Sequence, residues 1–551
     1  MRYILAILIL FSAKLTIAQV YPFEFKITPD YSKKVITTQD NIPKSIGRYS
    51  VTPVSSPTII SNFISDIIVI ANPNSDTIWF GTGKGIARTT NYGISFENYY
   101  GTPPFNEDDV SGIAVYKNFV VVATAYSQEV NEEFVPTGTG IKVSSDYGVT
   151  WTSYPQPKEP LDSASGTFIR YGNNQIPALA IVVDEQNLSY DVLITRKNLT
   201  SDSIVIWIAS WAGGFRKSTD YGATFQRIVT PPDNLDSVYP GGTYTFRYDP
   251  LINGNHKGFS LAALNDSVIF AGSSAGINKS TDWGVSWKKY RYHNTGSGSG
   301  ISGNFVVGLK FQRYANREIL WAATNPGEGE SNNSGQFSAV SFTTDAGESW
   351  GNTLEEGLFS HNLGFKDSIV YAATDNGIWR AYFTPPSFRW SKPSIIYDES
   401  IRDQVRTNLF YAVNSQGDSV WVGSGDGLAR TTDTLTSPWV SKWKIFRAYQ
   451  NFATIQETYA APNPFSPDDE VCRIYFKTGK PSATVTIKIF DFAMFPVRTV
   501  IQNASRSSTD VLWAAWDGKR DDGSQVANGV YFYRLEIDKD ERVWGKILVL
   551  Q

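Results

Sequence analysis

Ser144-Ser145-Asp146-Tyr147-Gly148-Val149-Thr150-Trp151 and Ser280-Thr281-Asp282-Trp283-Gly284-Val285-Ser286-Trp287 are two copies of one phrase, Ser/Thr-x-Asp-x-Gly-x-Ser/Thr-Trp. Thr343-Thr344-Asp345-Ala346-Gly347-Glu348-Ser349-Trp350 is a third. Two more end in Phe: Ser218, Asp220, Gly222 and Phe225, then Thr89, Asn91, Gly93 and Phe96 with Asn in place of Asp. Thr431-Thr432-Asp433 begins a sixth and loses its glycine. A carboxylate opening a tight turn accepts backbone N–H groups, glycine supplies positive φ, and the terminal Trp folds over the hairpin. Asn91, Asp146, Asp220, Asp282 and Asp345, with Trp151, Trp287 and Trp350, are therefore predicted to serve the fold, each carboxylate consumed by its own turn.

Six residues before each Asp position lies a small residue followed by an apolar one: Gly85, Gly140, Gly214, Gly276, Ala339 and Gly427, with Gly377-Ile378 a seventh pair that no box follows. Upstream again is a strand ending in apolar-x-Ala/Gly, as in Trp79-Phe80-Gly81, Trp207-Ile208-Ala209 and Trp421-Val422-Gly423. Seven copies over 50–450 give about 57 residues per unit, enough for a four-stranded blade. The pattern predicts an all-β fold, a seven-bladed β-propeller, because one blade cannot bury both faces of its sheet whereas a closed ring does. The small residue of the second strand lets neighbouring sheets approach, and the unit without a box should be the least regular.

The box resembles the Asp-box, or BNR, repeat of sialidases, sortilin-type receptors, xyloglucan-cleaving hydrolases and propeller assembly factors of photosystem II. That resemblance implies the propeller and raises two enzymatic expectations. Sialidases carry an Arg-Ile-Pro motif ahead of the first box, but here only Arg2, Arg48 and Arg88 precede Asn91, none followed by Ile-Pro. A carboxylate-pair glycoside hydrolase needs only two Asp/Glu residues about 5–10 Å apart. Its candidates are Glu107, Asp108, Asp109, Glu132, Glu133, Asp162, Glu328 and Glu330, each read more simply as a solvated loop carboxylate.

Loop length varies mainly at the end of the ring opposite the boxes, in 126–139, 152–175, 230–257, 293–304, 325–336 and 384–401. Variable loops on a rigid scaffold carry binding. Tyr126, Phe134, Tyr154, Tyr239, Tyr244, Tyr290, Tyr292 and Trp390 are the candidate ligand face, able to stack on a glycan or a protein.

The 551 residues include 14% aromatic and 19% charged residues, enough apolar surface for a large core. A net charge of −4 speaks against nucleic acid as a partner. Three scattered histidines (His256, His293, His361) and one cysteine (Cys472) argue against a His/Cys metal site or a disulfide, so no metal and no cofactor are expected. Arg2, an apolar run from Tyr3 to Phe11 and Thr16-Ile17-Ala18 read as an export signal over 1–18, with 19–49 an N-terminal segment and no transmembrane span.

After a linker at 451–461 the pattern changes to alternating strands that suit a small β-sandwich over 462–551. Pro462-Asn463-Pro464-Phe465, Ile489-Phe490-Asp491, Trp516-Asp517-Gly518, Asn528-Gly529-Val530-Tyr531 and the terminal Lys546-Ile547-Leu548-Val549-Leu550 resemble the flagellar hook-cap (FlgD)-type Ig-like domain, and equally the C-terminal sorting domains of type IX secretion. The resemblance implies a tail read by outer-membrane secretion machinery and a passenger secreted or displayed on the outer surface of a bacterium. Together these readings predict a binding or adhesion module for a surface glycan or protein, with a secreted glycoside hydrolase as the alternative.

Overall fold

The computed structural model describes residues 46–70, 77–130, 133–160, 167–198, 200, 202–292, 300–327, 335–355, 357–436, 438–439, 442–448, 458–468, 470–506, 511–538 and 542–550. The export signal, nearly all of 19–49, 451–457 of the linker, His293, and the carboxylates Glu132, Asp162, Glu328 and Glu330 lie outside them. The described residues are almost entirely β, with one 3-10 turn at Gly254–His256. No helix among them is long and apolar enough to cross a membrane.

The chain divides into two compact units. Among the described residues of the first, seven antiparallel sheets repeat one plan, each a meander that starts from an inner strand: Ile64–Val69, Asp109–Tyr116, Ser189–Arg196, Gly258–Ala263, Phe305–Tyr314, Ser360–Lys366 and Phe410–Gln416. Each inner strand packs on the next, and the last on the first, so the sheets close into a ring, a β-propeller. The second strand is apolar and buried, with Trp79, Trp207, Trp321 and Trp421 all at most 1% exposed and Val121 in the second sheet. Its small residue faces the inner strand of the following sheet: a β-carbon on Gly81 would stand 3.0 Å from Val110 Cγ1, and one on Gly423 2.6 Å from Ile64 Cγ2. Among the described residues, the sheet that lacks a box, built on Ser360–Lys366, has three strands, with a single bridge from Ser391 to Arg380 on its outer strand. Gly47–Ser50 and Val54–Ser56 add outermost strands to the second and first sheets, so the chain laces two neighbouring sheets before the first inner strand begins.

Every inner strand skips one residue in its pairing with the second strand: Ser65, Ser111, Tyr190, Phe259, Val307, His361 and Tyr411. A bulge re-aims a side chain, and here five of the seven join one buried cluster or its rim. Phe63 packs tilted on Tyr411 (4.9 Å), Tyr411 on His361 (5.1 Å) and His361 on Phe359 (4.9 Å), while Phe305 meets Phe259 edge-on (4.9 Å) and Phe259 meets Tyr190 (5.4 Å). Leu188 and Ala125 belong to the same cluster. All seven sheets supply residues to it, which puts this collar on the ring axis. Where the bulge residue is Ser65 or Ser111, its hydroxyl donates to the next inner strand, at Val110 O or Ser189 O (2.7 Å each).

The second unit packs a three-stranded sheet (Thr458–Ala461, Cys472–Phe476, Leu512–Trp516) and a four-stranded sheet (Ala483–Phe490, Pro496–Arg506, Gly529–Ile537, Val543–Val549) on a shared core that includes Ile474, Phe476, Ile487, Trp516, Tyr533 and Ile547. Ile395–Arg406 and Lys442–Ile445, which lie inside the 50–450 stretch, belong to this unit.

Candidate functional site

The box hairpins share one local chemistry. Asp146 Oδ1 accepts from the Ser144 hydroxyl and the Thr150 N–H (2.8 Å each), and Oδ2 from the Thr150 hydroxyl (2.5 Å). Ser144 Oγ in turn accepts from Gly148 N (2.8 Å), and Trp151 Nε1 donates to Gly148 O (3.0 Å). Asp220, Asp282 and Asp345 repeat the pattern with Thr224, Ser286 and Ser349, and Asn91 Oδ1 accepts from Ser95 N (3.0 Å). Burial alone would raise these carboxyls, but the hydrogen bonds they accept outweigh it, holding Asp146, Asp220 and Asp282 below the usual range and Asp345 at about 2. The residue before each glycine also takes positive φ, at Tyr92, Tyr147, Tyr221, Trp283 and Ala346. Two consecutive left-handed residues make a tight hairpin turn.

What the hairpins do between sheets was not read from the sequence. Each box glycine lies against aromatic rings of the preceding sheet: Gly148 on Trp79 and Tyr99, Gly222 on Tyr154, Gly284 on Trp207, Gly347 on Phe270 and Tyr290, and Gly93 on Trp421 and Phe446. A cation just before the opening Ser/Thr then ties the contact. Arg88 lies over the Trp79 ring (4.9 Å) and donates to Tyr147 O (2.8 Å). Lys217 does the same between Trp207 and Trp283 O (2.9 Å), and Arg430 between Trp421 and Tyr92 O (2.6 Å). The signal was present in the sequence as a recurring basic residue at this position. In the incomplete sixth box, Asp433 has left its turn. It is fully buried, ion-paired with Arg380 of the preceding sheet (2.5 Å), and accepts from the Tyr371 hydroxyl (2.6 Å).

The eight candidate ligand-face rings do not gather on one surface. Tyr154 and Tyr290 sit beneath neighbouring boxes, at Gly222 and Gly347, and the Tyr290 hydroxyl donates to Glu348 (3.0 Å). Trp390 packs on the Trp321 cluster and donates to Thr353 Oγ1 (2.7 Å). Tyr239 and Tyr244 clasp each other, Tyr239 N donating to the Tyr244 hydroxyl (2.8 Å), in a segment that follows the outermost strand Ser237–Val238. That segment rests on the hairpin Thr167–Tyr171 and Asn174–Ala178, whose Tyr171 hydroxyl reaches Val285 O in a box. Tyr292 N donates to Asn304 Oδ1 (2.8 Å).

Tyr126 and Phe134 remain at the end opposite the boxes. They belong to strands Phe119–Val130 and Glu133–Ser144, which run on as a hairpin for five pairs, Tyr126↔Thr137 to Val130↔Glu133, past the last pair with the inner strand, Asp109↔Ala125. Burial, with Asp108, Glu185 and Asp184 nearby, pushes the Tyr126 phenol up to about 12. Burial, aided by Glu185, also raises Asp184 above the ordinary carboxylate range, although Lys158 (2.6 Å) opposes it. Asp184 Oδ1 is buried and accepts no hydrogen bond among the described residues. Beside the hairpin, Glu159 receives Arg227 (3.0 and 2.7 Å) and Arg216 (2.9 Å), which pins the 152–175 insertion to the third sheet. Among the described residues, no three His, Cys, Asp or Glu side chains are grouped to hold a metal ion.

No family model matches the sequence, and no curated protein matches it. Solved structures with a similar arrangement include YCF48 bound to D1 peptide (13% identity, 70% of this chain and 95% of that one, TM-score 0.37). An ancestral GH74 enzyme is similar at 12% identity, over 90% of this chain and 72% of that one, with TM-score 0.31. The extracellular domain of the putative one component system BT4673 from B. thetaiotaomicron is similar at 11% identity, over 89% and 74%, with TM-score 0.31. At these scores no neighbour's ligand or activity carries over to this chain.

Proposed function

We propose that the chain is an exported seven-bladed β-propeller that binds a glycan or a protein at the outer surface of a bacterium and does no chemistry of its own. Each repeating sheet is one blade, and the hairpins are Asp-boxes that lock blade to blade. The binding end is the one that carries the 119–144 hairpin with Tyr126 and Phe134. The aromatic collar is the observation that carries this reading. Phe63, Tyr190, Phe259, Phe305 and Tyr411 are each at most 7% exposed, so the protein's own rings fill the axis. A ligand arriving there meets a broad surface, which suits a macromolecule, whereas small substrates take concave pockets.

In this reading 1–18 is the export signal, 451–461 is a linker whose last residues, Thr458–Ala461, pair into the second unit's three-stranded sheet, and 462–551 is an Ig-like domain that addresses the chain to outer-membrane secretion machinery. The secreted glycoside hydrolase stays as a second reading because of Asp184: a buried carboxyl with a raised pKa is the chemistry of a general acid. Two experiments test the proposal. Tyr126→Ala with Phe134→Ala should abolish saturable binding of the exported chain to bacterial or host surface glycans and proteins, at unchanged Tm. Fractionation of cells expressing a chain that ends at 450 should find it held in the periplasm. Surface display without the tail would remove the sorting role.

A further inference from the structure

The three-stranded sheet of the second unit turns alternate residues inward and outward. Cys472, Ile474, Ala514 and Trp516 enter the core, so Arg473, Tyr475, Trp513 and Ala515, which pair across the same strands, face the other way. Over this outer face lies a cavity of about 330 Å³, lined also by Ser400–Arg402, Arg498 and Val500, all within the second unit. Its charges are Arg402, Arg473 and Arg498 against one carboxylate, Asp517. Asp517 is engaged in its own turn, accepting from Lys519 N (3.2 Å).

Arg473 is built into the site. Its side chain is 8% exposed, its guanidinium lies 5.4 Å over the Trp513 ring, and Nη2 donates to Ile401 O. Its nearest carboxylate, Asp403, is 3.9 Å away and already holds Arg406 at 2.9 Å. Arg498 donates to Arg520 O (3.0 Å) and stands 3.9 Å from Asp521. Trp513 is 50% exposed and continues into Tyr475, directly opposite it, and Tyr459, stacked on Tyr475 at 4.7 Å. Two of the three guanidinium groups thus have a carboxylate at 3.9 Å, Arg473 with Asp403 and Arg498 with Asp521, and Arg402 is the third around one cavity beside the half-exposed indole.

We propose that this cavity binds an anionic sugar residue, with a carboxylate or sulfate group on Arg402 and Arg498 and the C–H face of the ring on Trp513. A planar guanidinium suits both anions, since each offers two oxygens to its parallel N–H donors. Arg473, fixed between Trp513 and the Ile401 carbonyl, sets the angle of the indole and adds its charge beneath it. The site is separate from the proposed binding end of the propeller and stands or falls independently of it.

Affinity electrophoresis of the full chain in native gels that contain polygalacturonate, dextran sulfate or neutral dextran tests the proposal and separates carboxylate from sulfate. The chain should be retarded by at least one polyanion and not by dextran. Arg402→Gln with Arg498→Gln, and separately Trp513→Ala, should each weaken the retardation about tenfold or more at unchanged Tm. Lys488→Gln with Lys546→Gln, on the other sheet, should leave it intact. Absence of retardation, or retardation that the arginine pair does not affect, overturns the proposal. Retardation that survives Trp513→Ala overturns the sugar and leaves a bare anion site.

Discussion

Gly93, in the first box, faces the Trp421 indole of the last sheet: a β-carbon there would stand 3.0 Å from Trp421 Cη2 and 2.8 Å from the Phe446 ring. This contact closes the ring. Gly93→Ala should cost about 2–4 kcal/mol, combining left-handed strain with overpacking. Gly417→Ala, at φ 55° with nothing within 4 Å, should cost only the strain, about 1–2 kcal/mol. Urea denaturation of the pair isolates the closure term, and equal losses would show that Gly93 plugs nothing.

Trp151, Trp287 and Trp350 are at most 4% exposed, and each indole N–H is held by the glycine carbonyl of its own box. Replacing any one by Ala should cost roughly 3–5 kcal/mol in chemical denaturation, from lost transfer energy and the cavity left behind.

The box was legible in sequence because its bonds are local: Ser144, Asp146, Gly148 and Thr150 satisfy one another within seven residues. What lies between sheets was not. The bulge residues, from Ser65 to Tyr411, are two Ser, two Tyr, one Phe, one Val and one His, so no single residue type marks the skipped pair. Tyr154 and Tyr290 read as loop aromatics, yet they are last-strand residues turned toward the next box, a matter of register that no single unit encodes. Ile395–Arg406 pack with the second unit through contacts more than sixty residues away, such as Arg406 with Glu470, which no window of sequence reveals.

Arg380 and Asp433 are buried to 2% and 0% side-chain exposure. Asp433→Ala strands the guanidinium and should destabilise by about 3–5 kcal/mol, whereas Arg380→Met with Asp433→Leu should recover most of the loss. Failure of the double variant to recover would assign the cost to the Tyr371 hydroxyl and Trp439 N–H, which donate to the Asp433 carboxylate, instead.

Burial lowers His256 to about 4 and His361 to about 3 from the ordinary 6.5. Both are neutral in the fold and take up protons on unfolding. Their stabilising contribution is complete above pH 6.5 and is lost as the pH falls toward the lowered values, at up to about 1.4 kcal/mol per proton per pH unit. Denaturation midpoints at pH 7, 5.5 and 4.5 should fall steadily, and His361→Phe, which keeps an aromatic in the collar, should roughly halve the slope. A flat profile would place a charged histidine in the fold.

The proposed binding occurs without turnover. A glycan array incubated with the full chain is scored for retention, and the eluted glycans are then analysed by mass spectrometry, with Asp184→Asn in parallel. Glycans or glycoproteins should be retained intact, and Asp184→Asn should retain them equally. Shortened glycans released by the native chain and left whole by Asp184→Asn would contradict binding without turnover and make the protein a hydrolase.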